Sequence, residues 1–201
     1  MYKGRSLMNN TKQRLIRTYT NIRRNYEIIL YLTKRNNRAI SILVNSDELL
    51  SHWCYLTFKD LHIEIDKAIS FRKPKNKKET DFVFSGLVID IFNQSNLNEN
   101  KKAKLYNKIL TLKEAIKTIR NTRDKFYAHI DADYESYLGN QSLRDIEIIV
   151  FLIQDIMCKV FGNKEVTGIL NTIPSSNDYS ILQKLLDLDL TTFEKLSNLV
   201  D

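Results

Sequence analysis

An all-α fold, packed as an antiparallel helical bundle, is what this sequence predicts, and three observations predict it. Only 5 Gly and 2 Pro occur in 201 residues, so turn punctuation is sparse and the elements between turns must be long. Hydrophobic residues make up 43% and charged residues 27%, a balance that suits a packed core and is too apolar for disorder. Apolar residues recur at spacings of three and four over most of the chain, the period of a helix with one buried face.

The elements follow in order. Over about residues 10–34, Leu15, Tyr19, Ile22, Tyr26 and Ile29 form one stripe with the arginines mostly off it. Asn36, Asn37 and Arg38 mark a turn, followed by the short apolar stretch Ala39 to Val44. A second helix opens with Asn45 or Ser46 as N-cap and with Asp47 and Glu48 in its first turn, where the helix dipole favours acids. Its apolar line is Leu50, Cys54, Phe58, Leu61, Ile65 and Ala68, and Pro74 among lysines ends it in an exposed loop. Thr80 is placed to cap a shorter helix containing Phe82, Phe84, Val88 and Ile91; Val, Ile and Phe leave a strand open as the alternative. After the polar connection Asn93 to Asn100, a long helix spans about 99–129 with Leu105, Ile109, Leu112, Ile116 and Ile119 as a heptad seam.

Residues 131–141 form a polar loop containing Gly139. Ser142 and Asp145 then open a helix that Gly162 closes. Leu143, Ile146, Ile148 to Ile153, Ile156 and Val160 make it apolar on nearly every side, which predicts the buried centre of the bundle. Beyond Gly168, Pro174 and two serines come two short amphipathic helices, around Ile181–Leu188 and Phe193–Leu199. The expected organisation is a bundle over residues 1–162 with a C-terminal helical extension, 163–201, packed on the same domain.

Cys54 and Cys158 do not make a disulfide framework in a chain of this size, which points to a reducing compartment. No charged-then-apolar leader opens the chain, and its longest apolar run, Ile148 to Ile153, is far too short to span a bilayer. A cytoplasmic protein without membrane contact is expected. The net charge is +7 with a pI near 9.3. The first forty residues hold ten Lys and Arg against the single acid Glu27, and Arg72, Lys73, Lys75, Lys77 and Lys78 form a second cluster. Such a field attracts polyanions, nucleic acid above all, through counterion release. The plainer reading is a solvated helix face, and charge alone does not choose between them.

One segment is chemically loaded: Arg123-Asp124-Lys125-Phe126-Tyr127-Ala128-His129. One step past Ile119 the heptad seam meets Arg123, and it resumes at Phe126 and Ile130. An arginine in line with aliphatic residues needs an acidic or phosphate partner, or a wet interface. His129 and Arg123 flank Phe126 by roughly 60° on either side and lie about 9 Å apart along the axis, sharing a broad face.

Arginine, a polar residue, then histidine with five positions intervening, near the end of a long helix, resembles the signature of the HEPN superfamily. The run Arg-Asp-Lys-Phe-Tyr-Ala-His-Ile-Asp is most similar to its abortive-infection (AbiU-type) branch. The resemblance runs over about residues 10–162 in helix order. It implies a bundle of HEPN type and a metal-independent endoribonuclease of a bacterial phage-defence or toxin–antitoxin system, with a site assembled across a homodimer and an antitoxin protein as a possible partner. A ribose 2′-hydroxyl attacks the adjacent phosphate, leaving a 2′,3′-cyclic phosphate and a free 5′-hydroxyl. The implied roles are His129 as general base or acid, Arg123 holding the phosphate, and Asp124 orienting Arg123 or the imidazole. Arg120, Lys125 and Tyr127 are the candidate RNA contacts. The same residues have a structural reading: Arg123 paired with a carboxylate of another helix, His129 stabilising a helix C-terminus, Asp124 solvated. Two further functions stay open, a non-catalytic module of this fold binding RNA, a nucleotide or a partner nucleotidyltransferase, and a plain protein-interaction bundle.

No metal or cofactor is expected. His52 and His62 lack ligand spacing, and His62, Glu64 and Asp66 scatter over different faces of a helix. Asp131, Asp133 and Glu135 open like a calcium loop, but Ser136 and Ser142 stand where Gly and Glu are required. Cys54 and Cys158 read as inert core thiols and Trp53 as packing.

Overall fold

The computed structural model of the chain describes residues 2–33, 44–72, 83–128 and 143–173, with the side chains of 2–8 and 125–128 outside that description. In order, the elements are α1 (Tyr2–Leu32), α2 (Glu48–Ala68), β1 (Ser70–Arg72), β2 (Val83–Ser85), α3 (Leu87–Gln94), α4 (Glu99–Thr111), α5 (Lys113–Ala128), α6 (Leu143–Phe161) and α7 (Asn163–Leu170). The expected all-α class holds for the described residues, with one short antiparallel ribbon added. The two helices expected after Pro174 lie outside the described residues.

Helix α1 extends further toward the N-terminus than its apolar stripe, and that stripe is what it buries. Leu15, Tyr19, Ile22, Tyr26 and Ile29 all join the core. Against them pack α2, through Phe58, Leu61, Ile65 and Ala68, and α3, through Val88 and Ile91. The N-cap of α2 falls one residue later than expected. Asp47 is extended there, and its carboxylate accepts the Leu50 amide at 2.9 Å, while Glu48 occupies the first turn. Trp53 and Cys54 pack on a satellite cluster of Tyr31, Leu32 and Val44.

The region around Phe84 resolves into strand and then helix. β1 and β2 pair antiparallel, with Phe71 opposite Phe84 and their rings 5.0 Å apart. Gly86 turns the chain into α3 at φ +111°, and a Cβ there would stand 2.7 Å from the Ala68 carbonyl oxygen. Only glycine lets the start of α3 approach the end of α2 so closely.

The single helix expected over 99–129 is two. Asn98 caps α4, its side chain accepting from the Lys101 amide at 2.9 Å. At the other end the Thr111 hydroxyl donates to the Lys108 carbonyl at 2.8 Å, and the Leu112 amide turns instead to Ile109 at 3.1 Å. The regular i to i−4 ladder is interrupted at that point. The seam survives the break: Leu105, Ile109, Ile116 and Ile119 are buried, and Leu112 is partly so.

Helix α6 is not buried on every side. Ile146, Ile149, Val150, Ile153, Ile156 and Met157 enter the core, whereas Ile148 and Phe151 are 40% and 45% exposed. Polar links join it and α7 to the rest, among them Tyr19 to Gln154 at 2.9 Å, Lys108 to Asp155 at 2.9 Å, and Lys12 to Glu165 at 2.8 Å. Gly162, at φ +96°, separates α6 from α7.

Candidate functional site: an arginine–aspartate cluster

The site is made where α2 ends. Ile69 adopts extended backbone after Ala68, its amide still bonded to Ile65 at 2.8 Å, and the chain passes directly into β1. Ser70 and Arg72 alternate with Phe71 and so share one side of the strand. Both reach back to Asp66 in the last turn of α2. The Ser70 hydroxyl donates to Asp66 Oδ1 at 2.5 Å and Arg72 Nη2 to Oδ2 at 2.8 Å, while Arg72 Nε donates to Ser70 Oγ at 3.1 Å.

From the opposite side α5 brings Arg120, Arg123 and Asp124, which spacings of three and four place on one helix face. Arg123 Nη1 donates to Asp66 Oδ2, and its Nη2 donates to Asp124 Oδ1. Arg123 Nε reaches the same Asp124 oxygen at 3.0 Å. Arg120 Nη1 donates to the Phe71 carbonyl at 2.8 Å, which ties α5 to β1, and its Nε lies 3.6 Å from Asp124 Oδ2. The chain of charges therefore runs Arg72, Asp66, Arg123, Asp124, Arg120.

Burial is graded along it. The Asp66 side chain is 1% exposed, Arg123 22%, and Arg72 and Asp124 48% each. A buried carboxylate thus anchors guanidinium groups whose outer edges meet water. Three arginines against two aspartates leave one positive charge in excess. An arginine fork held rigid by a carboxylate beneath it can accept a second oxyanion on its open side, and phosphate fits that geometry. Asp124, half exposed and bonded to Arg123, occupies part of that side.

The structure therefore unites three of the residues singled out in the sequence, Arg120, Arg123 and Asp124. His129 lies outside the described residues, as do the side chains of Lys125 and Tyr127 in the last turn of α5. The acidic partner that the interrupted seam demanded is Asp66. Sequence reasoning weighed Asp66 only as a metal ligand, counted Arg72 only in a basic cluster, and passed over Ser70. Their only signal was an acid four residues before a serine and six before an arginine at a helix end, which is common. His62, Glu64 and Asp66 are all buried despite their alternation; His62 Nδ1 lies 2.8 Å from the Phe58 carbonyl oxygen, which requires the proton on that nitrogen. Among the described residues no group of three or more His, Cys, Asp or Glu is placed to hold a metal ion, and no helix is long and apolar enough to cross a membrane. Burial raises the Cys54 thiol above its ordinary value, and it raises Cys158 with a further push from Asp155.

No family model, curated protein or solved structure matches this chain.

Proposed function

We propose that this chain is a metal-independent endoribonuclease of a bacterial phage-defence or toxin–antitoxin system, a homodimer of HEPN type that cuts RNA at paired Arg123 and His129 residues. The observation that carries the reading is the anchored, partly solvent-facing Arg123, followed six positions later in the sequence by His129. Asp66 and Asp124 orient the guanidinium, and its planar fork holds the scissile phosphate and the charge that develops on it. His129 takes the proton from the 2′-hydroxyl or returns one to the departing 5′-oxygen, and a second subunit supplies the complementary role. The products are a 2′,3′-cyclic phosphate and a 5′-hydroxyl. Arg120, Lys125 and Tyr127 contact the RNA on either side, and an antitoxin protein would restrain the activity.

One observation favours a second reading, a non-catalytic helical module that binds RNA, a nucleotide or a partner nucleotidyltransferase. Arg123 directs three N–H groups at two aspartates of its own chain, an arrangement that also suffices as a structural ion pair.

Single-stranded RNA incubated with the protein in EDTA, with the product ends mapped, distinguishes these readings. Cleavage leaving cyclic-phosphate ends, abolished by both Arg123→Ala and His129→Ala and by a deoxyribose at the scissile position, supports the enzyme. Thermal melts must show that both variants remain folded, because Arg123→Ala also deprives Asp66 of a partner. For a site shared between subunits, mixing the two inactive variants restores part of the activity. Undiminished cleavage by His129→Ala refutes the assigned roles, and binding without cleavage selects the second reading.

A further inference from the structure

A cavity of about 390 Å³ opens between α1, the end of α2 and the start of α3, and three cations line it: Arg14 and Arg17 from α1 and Lys67 from α2. Arg14 and Arg17 are exposed and make no ion pair or hydrogen bond among the described residues. Lys67 bonds to Glu64 at 2.6 Å. The cavity has one acid, Asp90, and no ion pair joins it to any of the three cations among the described residues. The volume falls in the range of small-ligand pockets.

Gly86 and Leu87, where α3 begins, also line this cavity. Gly86 has no side chain to cap the helix, so the first amides of α3 receive no cap from it, and they add the positive end of a helix dipole to the three cations. Lys67 follows Asp66, and Gly86 follows β2, whose partner β1 carries Ser70 and Arg72. Two basic features thus share one end of α2.

We infer that this cavity binds a phosphate group, held by Arg14, Arg17 and Lys67 over the start of α3. The inference goes beyond the ribonuclease reading and stands without it. The phosphate can belong to a free nucleotide or to an RNA backbone, since the chemistry recognised is the same.

Binding of AMP, inorganic phosphate and a short single-stranded RNA to the full chain, measured in low-salt buffer, tests it. The double variant Arg14→Gln/Arg17→Gln should weaken binding at least about tenfold, whereas Arg24→Gln/Lys104→Gln, which removes the same charge from exposed positions elsewhere, should weaken it only through the general field. Asp90→Asn should tighten binding more than Asp60→Asn, an equal charge change away from the cavity. Binding of AMP or phosphate identifies a small phosphate ligand; binding of RNA alone identifies a backbone phosphate. Equal losses in the two double variants, equal effects of the two aspartate variants, or no binding of any probe overturns the assignment. Phosphate binding retained by a His129→Ala variant that has lost cleavage separates this site from the proposed active site.

Discussion

Replacing Asp66 by asparagine removes the anchor of the arginine cluster while keeping its volume. The wild-type carboxylate, 1% exposed, takes Ser70 at 2.5 Å, Arg72 at 2.8 Å and Arg123 on its two oxygens. Asparagine keeps one acceptor oxygen and turns an NH2 donor toward donors. Each hydrogen bond to a charged group contributes about 1.5–3 kcal/mol. Arg72 is half exposed and recovers much of its loss from water, so its arm counts for little. Arg123 is only 22% exposed and recovers less. The expected cost is about 2–4 kcal/mol, below the full cost of breaking a buried pair because both arginines still reach solvent. Equilibrium urea unfolding followed by circular dichroism reads it as a lower midpoint at constant slope. Adding Arg123→Gln completes a double-mutant cycle, in which the pair should show a coupling of at least about 1 kcal/mol. A cost below about 0.5 kcal/mol, or additive single changes, would refute the claim that this carboxylate holds Arg123 in place.

Three further outcomes follow from the packing. Burial, the largest cause in each case, pushes the Tyr19 and Tyr26 hydroxyls well above the ordinary tyrosine value of 10.0. The unfolded chain therefore releases these protons first, so their contribution to stability is complete below about pH 10 and is lost as pH rises through the folded values; Tyr19→Phe and Tyr26→Phe should flatten the alkaline decline in melting temperature. Gly86→Ala should destabilise by about 1–3 kcal/mol, since it forces alanine to φ +111° against the Ala68 carbonyl, and denaturant unfolding measures it. At about pH 8 both thiols should react slowly with an aromatic disulfide reagent and rapidly in guanidinium, because burial holds Cys54 and Cys158 protonated; fast native-state reaction would contradict their placement against the core.

Periodicity alone was enough for the helical class and for much of the core, because a buried stripe repeats every turn and each element carries its own record of what it buries. Leu15 through Ile29 and Phe58 through Ala68 were legible in this way. So was the demand that Arg123 places on its surroundings, since an arginine in an apolar seam requires a partner whatever the fold. Tertiary structure decided who that partner is: Asp66 lies 57 residues away, and no local pattern links the two. It also decided which face of α6 stays in solvent, because an almost uniformly apolar helix does not encode which side its neighbours cover. The break at Leu112 falls inside a continuous hydrophobic seam, and spacing alone does not register a change in the backbone ladder. The same holds for the strand at Phe84. Val, Ile and Phe fit either backbone, and its pairing with Phe71 settled the choice, for the physical reason that a strand's backbone hydrogen bonds need a partner strand whereas a helix's are internal to it.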